Sequence, residues 1–186
     1  MTPARRVLYV IICGTTAASG VYDFISESVS DGWDVCAVTT PMGARFVDSD
    51  RLRSLTSHPV RSDYKAPDEP DVLPPADAFV VAPCTFNTVN KLANGISDTL
   101  AVGLVCEGIG HGLPVIIAPW ANRALIRHGA YRRSIEYLRD DGVRFVLTDR
   151  TEPGPSLVDP GGLFPWDDVL AEVRKLPEVP DAQNLK

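Results

Sequence analysis

Four short runs of the chain are almost continuously apolar, and each ends at a turn of small polar residues: Arg6 to Cys13, Trp33 to Thr39, Ala78 to Ala82, and Pro114 to Pro119. A fifth run, Val143 to Leu147, follows later. A strand with few polar positions must be covered on both faces, which points to a parallel sheet enclosed by helices. Between the runs the apolar spacing changes to that of helices. Val21, Phe24, Ile25 and Val29 share one face of a helix expected over Ala18 to Ser30, which Asp31-Gly32 ends. Further helices are expected over Val89 to Gly95, Thr99 to Gly110 and Ala130 to Arg139. Shorter ones are expected over Met42 to Val47, from Asp48 through Leu55, and from Pro165 to Leu176. Ser57 to Pro75, rich in proline and charge, reads as a long loop. This alternation predicts an α/β fold: a three-layer, Rossmann-like (flavodoxin-like) parallel sheet with helices on both faces.

Right-handed crossovers bring the C-terminal ends of parallel strands to one edge. Four polar turns collect there: Gly14-Thr15-Thr16, Thr39-Thr40, Thr85 to Thr88, and Asn122-Arg123. The segment Asp77 to Leu100 is the densest, with a buried strand, the turn Pro83-Cys84-Thr85-Phe86-Asn87-Thr88, and a helix. One residue suffices to cap a helix, so three hydrogen-bonding side chains in that turn favour a ligand bound along the edge. No G-x-G-x-x-G follows the first strand and no G-x-x-x-x-G-K-[ST] occurs. Neutral hydroxyls and amides at helix starts suit a phosphomonoester with a heteroaromatic ring edge. A flavin mononucleotide, another nucleotide and a sugar phosphate all meet that description.

The formal net charge is -6 and there is no Lys/Arg block, which argues against nucleic acid or an anionic membrane as partner. No run approaches the roughly 18 apolar residues of a membrane span, and the N-terminus lacks the core of a secretory signal. The cysteines at 13, 36, 84 and 106 form no C-x-x-C pair, so no metal site is expected. These features together lead to an expectation of a cytoplasmic protein.

The segment Pro83 to Leu100, PCTFNTVNKLANGISDTL, resembles the signature loop and helix of the homo-oligomeric flavin-containing cysteine decarboxylase superfamily. That family shows Pro-Ala-Ser-Ala-Asn-Thr, then Lys, Ala-x-Gly and Asp-Asn-Leu. It includes phosphopantothenoylcysteine decarboxylase, the peptidyl-cysteine decarboxylases of lantibiotic pathways and the flavin prenyltransferases. Cys13-Gly14-Thr15-Thr16-Ala17-Ala18 is similar to its first turn. Val38-Thr39-Thr40 with Ala44 and Phe46 is similar to its second, and Pro119-Trp120-Ala121-Asn122 falls where it has Pro-x-Met-Asn. The resemblance covers about residues 6 to 148. It implies a flavoprotein domain over 1–148; residues 149–186 lie outside the resemblance and are expected to form a C-terminal loop and short helix packed on the same domain.

By this resemblance the cofactor would be FMN, held by Gly14, Thr15, Thr16, Thr39, Pro83, Thr85, Asn87 and Thr88. Asn122 would hold a substrate carboxylate, with Arg123 and His128 beside it. The resemblance further implies a homotrimer or a dodecamer of trimers. The sequence also departs from the family. Glu69 stands where the decarboxylases carry an active-site His, the nearest upstream His being His58, and Ala121 and Leu125-Ile126 replace larger family residues. The expected function is therefore an FMN-dependent oxidoreductase or decarboxylase-like lyase with a rebuilt pocket. It would act on a small carboxylate-bearing or peptidyl substrate, with Asn122 and Glu69 as the catalytic candidates. A non-catalytic flavin carrier or sensor, and a flavin prenyltransferase, are the alternatives.

Overall fold

The computed structural model describes residues 5–66, 68, 70, 72–153 and 163–177. Five parallel strands form one sheet: β1 (Val7–Ile12), β2 (Asp34–Thr39), β3 (Ala78–Cys84), β4 (Val115–Pro119) and β5 (Arg144–Phe145). Their spatial order is β2-β1-β3-β4-β5. The chain reverses its direction of travel across the sheet between β1 and β3. In open α/β sheets such a reversal opens a crevice beyond the strand C-termini.

Side chains of β1 alternate between two cores. Leu8, Val10 and Ile12 pack with Val21, Phe24 and Ile25 of α1 (Val21–Ser30), Leu52 of α2 (Ser49–Thr56) and Val169, Leu170 and Val173 of α7 (Trp166–Arg174). Tyr9, Ile11 and Cys13 pack on the other side. They meet Val89 and Leu92 of α3 (Phe86–Ala93), Val102 and Val105 of α4 (Leu100–Gly110) and Tyr131, Ile135 and Leu138 of α6 (Gly129–Asp140). Each fully buried aliphatic side chain stabilises the fold by about 1.5–3 kcal/mol, so packing on both faces dominates the energetics. The expected three-layer architecture is the one observed.

Several boundaries differ from the sequence reading. Pro83 and Cys84 lie inside β3 rather than in a turn. Cys84 pairs with Pro119, and Cys13 N donates to Pro83 O at 3.2 Å. α3 begins at Phe86, three residues before the expected Val89, because Thr85 is its cap and accepts from Thr88 N at 3.3 Å. Phe86, Asn87 and Thr88 therefore form the first helical turn. The segment expected to be helical from Ala18 opens as a 3-10 turn over Thr16–Gly20. Met42 to Val47 is likewise reduced to the 3-10 turn Gly43–Arg45. β5 spans two residues instead of five, since pairing with β4 ends at Val146 N, which donates to Ile117 O. The loop after α2 starts beside the sheet, where Arg61 bridges Val38 and its carbonyl accepts from Thr39 N at 2.8 Å. A four-residue helix, α5 (Arg123–Ile126), follows β4 where only a turn was expected. No helix among the described residues is long and apolar enough to cross a membrane.

Candidate functional site

The crevice beyond β1 and β3 holds a cavity of about 490 Å³, within the usual range of roughly 300–1,000 Å³ for small-molecule sites. Gly14, Thr85, Asn87 and Thr88, all expected at a site, line it together. Thr40, Met42, Lys91 and Thr99 complete its polar and flexible walls. Each is placed by local chain chemistry. Thr40 leaves the end of β2 and its hydroxyl accepts from Gly43 N at 2.9 Å. Gly14 lets Met42 approach: a Cβ at Gly14 would stand 2.5 Å from Met42 Cγ. Lys91 projects from α3 toward Asp98, with Nζ 2.6 and 2.8 Å from the carboxylate oxygens.

The hydroxyls of this wall are linked. Thr85 Oγ1 lies 2.9 Å from Thr88 Oγ1 and also accepts from Thr88 N. Beneath them, the Cys13 thiol donates to Thr88 Oγ1 at 3.3 Å. Cys13 and Cys84 are both fully buried. The neighbouring Cys84 side chain is the largest influence lowering the Cys13 pKa from its ordinary value to about 7; burial opposes this, and Thr88 adds to it. Burial, with Cys13 alongside, drives Cys84 the other way, well above the ordinary thiol value. Asn87 is exposed on the first turn of α3, and its amide makes no hydrogen bond among the described residues.

The other expected cofactor residues do not line this cavity. Thr15 caps the 3-10 turn, accepting from Ala17 N at 3.0 Å, and Thr16 is exposed. Pro83 is buried within β3. Thr39 is fully buried, and its Oγ1 has no hydrogen-bond partner among the described residues. Strand alternation turns Thr39 inward and leaves Thr40, its neighbour, on the cavity wall.

Asn122, Arg123 and His128 form a second group beyond β4. Asn122 is exposed and caps α5 through Oδ1, which accepts from Leu125 N at 3.0 Å. Its amide nitrogen makes no hydrogen bond among the described residues, so it can donate to a carboxylate. His128 caps α6, with Nδ1 accepting from Ala130 N at 3.0 Å. Its ring meets Phe86 edge-on at 5.8 Å. Arg123 is buried, and its Nη1 donates to the carbonyls of Asp149, Arg150 and Glu152 at 3.5, 3.0 and 3.1 Å. That guanidinium ties the segment after β5 to the body of the fold rather than facing the cavity. His58 is remote from this edge: it pairs with Asp34 at 2.7 Å, where β2 begins. Glu69 lies outside the described residues.

Sequence reasoning did not single out Met42, Lys91 or Thr99 as wall residues. Lys91 and Asp98 carried a usable signal, since a charged pair flanking the end of α3 fixes that helix against the start of α4. The fit to a flavin rests on one orphaned hydroxyl and one close approach. Thr99 Oγ1, at the mouth of α4 on the cavity wall, is buried without a partner among the described residues. No side chain caps α4. With Gly14 keeping the floor open, these groups suit a ligand carrying several acceptor oxygens.

The family described as flavoprotein matches residues 1–178. The chain is 32% identical over 148 residues to the coenzyme A biosynthesis bifunctional protein CoaBC of Bacillus subtilis, a match covering 76% of this chain and 36% of that protein. It therefore spans little more than a third of that relative. Flavin prenyltransferase UbiX of Thermoplasma acidophilum is 28% identical, with 72% of this chain and 76% of that protein matched. Among solved structures, the FMN-dependent cysteine decarboxylase TvaF from thioviridamide biosynthesis superposes with a TM-score of 0.68 at 28% identity, covering 77% of this chain and 90% of that one.

Proposed function

The chain belongs to the flavoprotein family, and from that premise we propose that it binds FMN in the β1/β3 crevice and works as a flavin-dependent, decarboxylase-like enzyme on a small or peptidyl carboxylate. The observation that carries the proposal is the clustering of Gly14, Thr85, Asn87 and Thr88 around one cavity of about 490 Å³ at the reversal point of the sheet. Bound there, a flavin supplies a two-electron acceptor. The protein's own part is to bind, orient and exclude water. Thr85, Thr88 and Thr40 offer hydroxyls, Asn87 a free amide, and Lys91 a cation held in place by Asp98. Asn122 orients the substrate carboxylate through its amide nitrogen, its oxygen being engaged by Leu125 N. The likeness to TvaF supports both the cofactor and the reaction class.

The proposal includes self-assembly as a homotrimer or as a dodecamer of trimers. α4 is apolar nearly all round, and Leu100, Leu104 and Ile109 remain only half-buried on a single copy. Helices of that composition are normally covered on every side.

A second reading, flavin binding without turnover, is favoured by one observation: Arg123, expected beside the substrate, is committed to the carbonyls of residues 149–152. Anaerobic mixing of the flavin-loaded protein with candidate carboxylated thiols separates the two. Bleaching of the flavin band with release of carbon dioxide supports the enzyme, whereas a stable yellow protein with every candidate supports the carrier. Transfer of a prenyl group to added flavin, read as a changed flavin mass, would identify the prenyltransferase alternative instead.

A further inference from the structure

Two cysteines meet behind the cavity, and a slip in strand register brings them together. Cys13 follows the end of β1 and Cys84 ends β3. Along these neighbouring strands Leu8 stands opposite Ala78 and Ile11 opposite Val81, so unbroken pairing would set Cys13 against Pro83. Instead, Cys13 N donates to Pro83 O at 3.2 Å. Parallel pairing is slanted, and an amide bonds the carbonyl just before the residue opposite it, which puts Cys84 opposite Cys13. The same slip shows on the other side of β3, where the step from Val81 to Cys84 matches the shorter step from Ile117 to Pro119. An extra residue in a strand is a bulge, and it re-aims the side chain that follows. Cys84 is thereby turned to the face of Phe79 and Val81, the face that Ile11 and Cys13 share on β1. Without the slip, strand alternation would aim it at the opposite core.

The spacing suits a covalent link. Adjacent strands lie about 4.7–4.9 Å apart, inside the Cα separation of about 4.4–6.8 Å that a disulfide spans. Both thiols are also held at the start of α3: Cys13 donates to Thr88 Oγ1 at 3.3 Å, and Cys84 donates to Thr85 O at 3.7 Å. We propose that Cys13 and Cys84 are a redox-active dithiol that hydrogen peroxide closes to a disulfide. The pair does not depend on a flavin occupying the crevice.

The reaction consumes one peroxide. The Cys13 thiolate attacks a peroxide oxygen, the O–O bond breaks, and a sulfenic acid forms on Cys13; the departing hydroxide takes the thiol proton and leaves as water. The Cys84 sulfur then displaces the sulfenic hydroxyl, so that the S–S bond forms, the S–O bond breaks, and the Cys84 proton leaves with the hydroxyl as a second water. Each thiol loses one hydrogen, and the peroxide gains two electrons. The surroundings divide the roles. With its pKa brought down to about 7 by the Cys84 side chain, Cys13 is the nucleophile. Burial keeps Cys84 protonated, as the thiol that resolves the sulfenic acid. Both cysteines are buried, but Thr88, which Cys13 touches, lines the cavity. An oxidant little larger than water reaches them from that side, whereas bulky disulfides do not.

The test treats the folded wild-type chain with hydrogen peroxide, alkylates the remaining thiols after denaturation and maps the digest by mass spectrometry. The expected result is a cross-linked pair of peptides carrying Cys13 and Cys84, a chain mass lower by two hydrogens, and Cys36 and Cys106 alkylated. Dithiothreitol should reverse the change. In Cys84→Ser, which lacks the resolving thiol, a sulfenic acid should accumulate on Cys13 and be labelled by dimedone. Cys13 and Cys84 both still alkylated after peroxide, Cys13 carried to sulfinic acid without a cross-link, or a cross-link through Cys36 or Cys106 would each overturn the proposal. The wild-type mapping decides the matter even where Cys84→Ser does not fold. FMN titration of the untreated chain tests the flavin reading separately.

Discussion

Cys13 and Thr88 stand 75 positions apart in the sequence and meet thiol to hydroxyl at 3.3 Å, directly behind the wall of the cavity. The contact joins the end of β1 to the first turn of α3, the two segments that frame the reversal point of the sheet. Burial of Cys13, capping of α3 and the chemistry of the cavity are therefore parts of one arrangement, which makes them separable by substitution.

Thr85→Ala removes both the cap of α3 and a hydroxyl from the cavity wall. Loss of the cap should cost about 1 kcal/mol of stability, seen as a lower midpoint in denaturant. FMN affinity should fall as well, and Thr85→Ser should recover both. Weakened stability with unchanged FMN affinity would remove Thr85 from the cofactor site.

Gly14→Ala tests the close approach at the cavity floor. Its Cβ would meet Met42 Cγ at 2.5 Å and the Met42 carbonyl carbon at 3.1 Å. Overpacking of this kind costs about 1–3 kcal/mol. Met42 is also half-exposed on the cavity wall, so the expected outcome is a larger loss in FMN titration than in thermal stability.

Arg123→Ala should behave in the opposite way. Deleting the guanidinium leaves the carbonyls of Asp149, Arg150 and Glu152 without their shared donor. Hydrogen bonds to a charged group contribute about 1.5–3 kcal/mol each way, so urea unfolding should move to lower denaturant while FMN affinity holds. An unchanged unfolding curve with lost substrate turnover would return Arg123 to the substrate site.

The pH dependence of stability follows from Cys13, whose pKa is lowered from 9.0 to about 7 chiefly by the Cys84 side chain. A group with a depressed folded-state pKa adds stability as pH rises from its folded towards its unfolded value. Thermal stability of the wild-type chain should therefore rise relative to Cys13→Ser, whose hydroxyl does not ionise in this range, between pH about 7 and 9.0. Parallel unfolding profiles for the two proteins would contradict the lowered thiol pKa.

Much of this arrangement was legible in the sequence because periodicity reports burial directly. The uninterrupted run Val7 to Cys13 could only be a strand covered twice, and the hydroxyl-rich turn after Ala78 to Ala82 could only fall at the sheet edge. Other features depend on contacts between distant residues. Pro83-Cys84 reads as a turn because proline usually ends a strand, yet Cys84 pairs with Pro119. Thr85, Asn87 and Thr88 are alike in composition, and only the structure distinguishes the cap at Thr85 from the first helical turn that follows it. Arg123 was expected beside the substrate because its three carbonyl partners, 26 to 29 positions away, leave no local signal in the sequence. Thr39 and Thr40 differ by one step of a strand, and that step decides which reaches the cavity.

The most direct test of the central claim is titration of the purified chain with FMN, followed by flavin fluorescence and the visible band of the bound cofactor. Saturable binding at one flavin per chain, weakened by Thr85→Ala and Asn87→Ala and unaffected by His58→Ala at the far end of β2, is the expected result. A chain that is colourless as purified and binds no added FMN would contradict the assignment of the β1/β3 crevice as a flavin site.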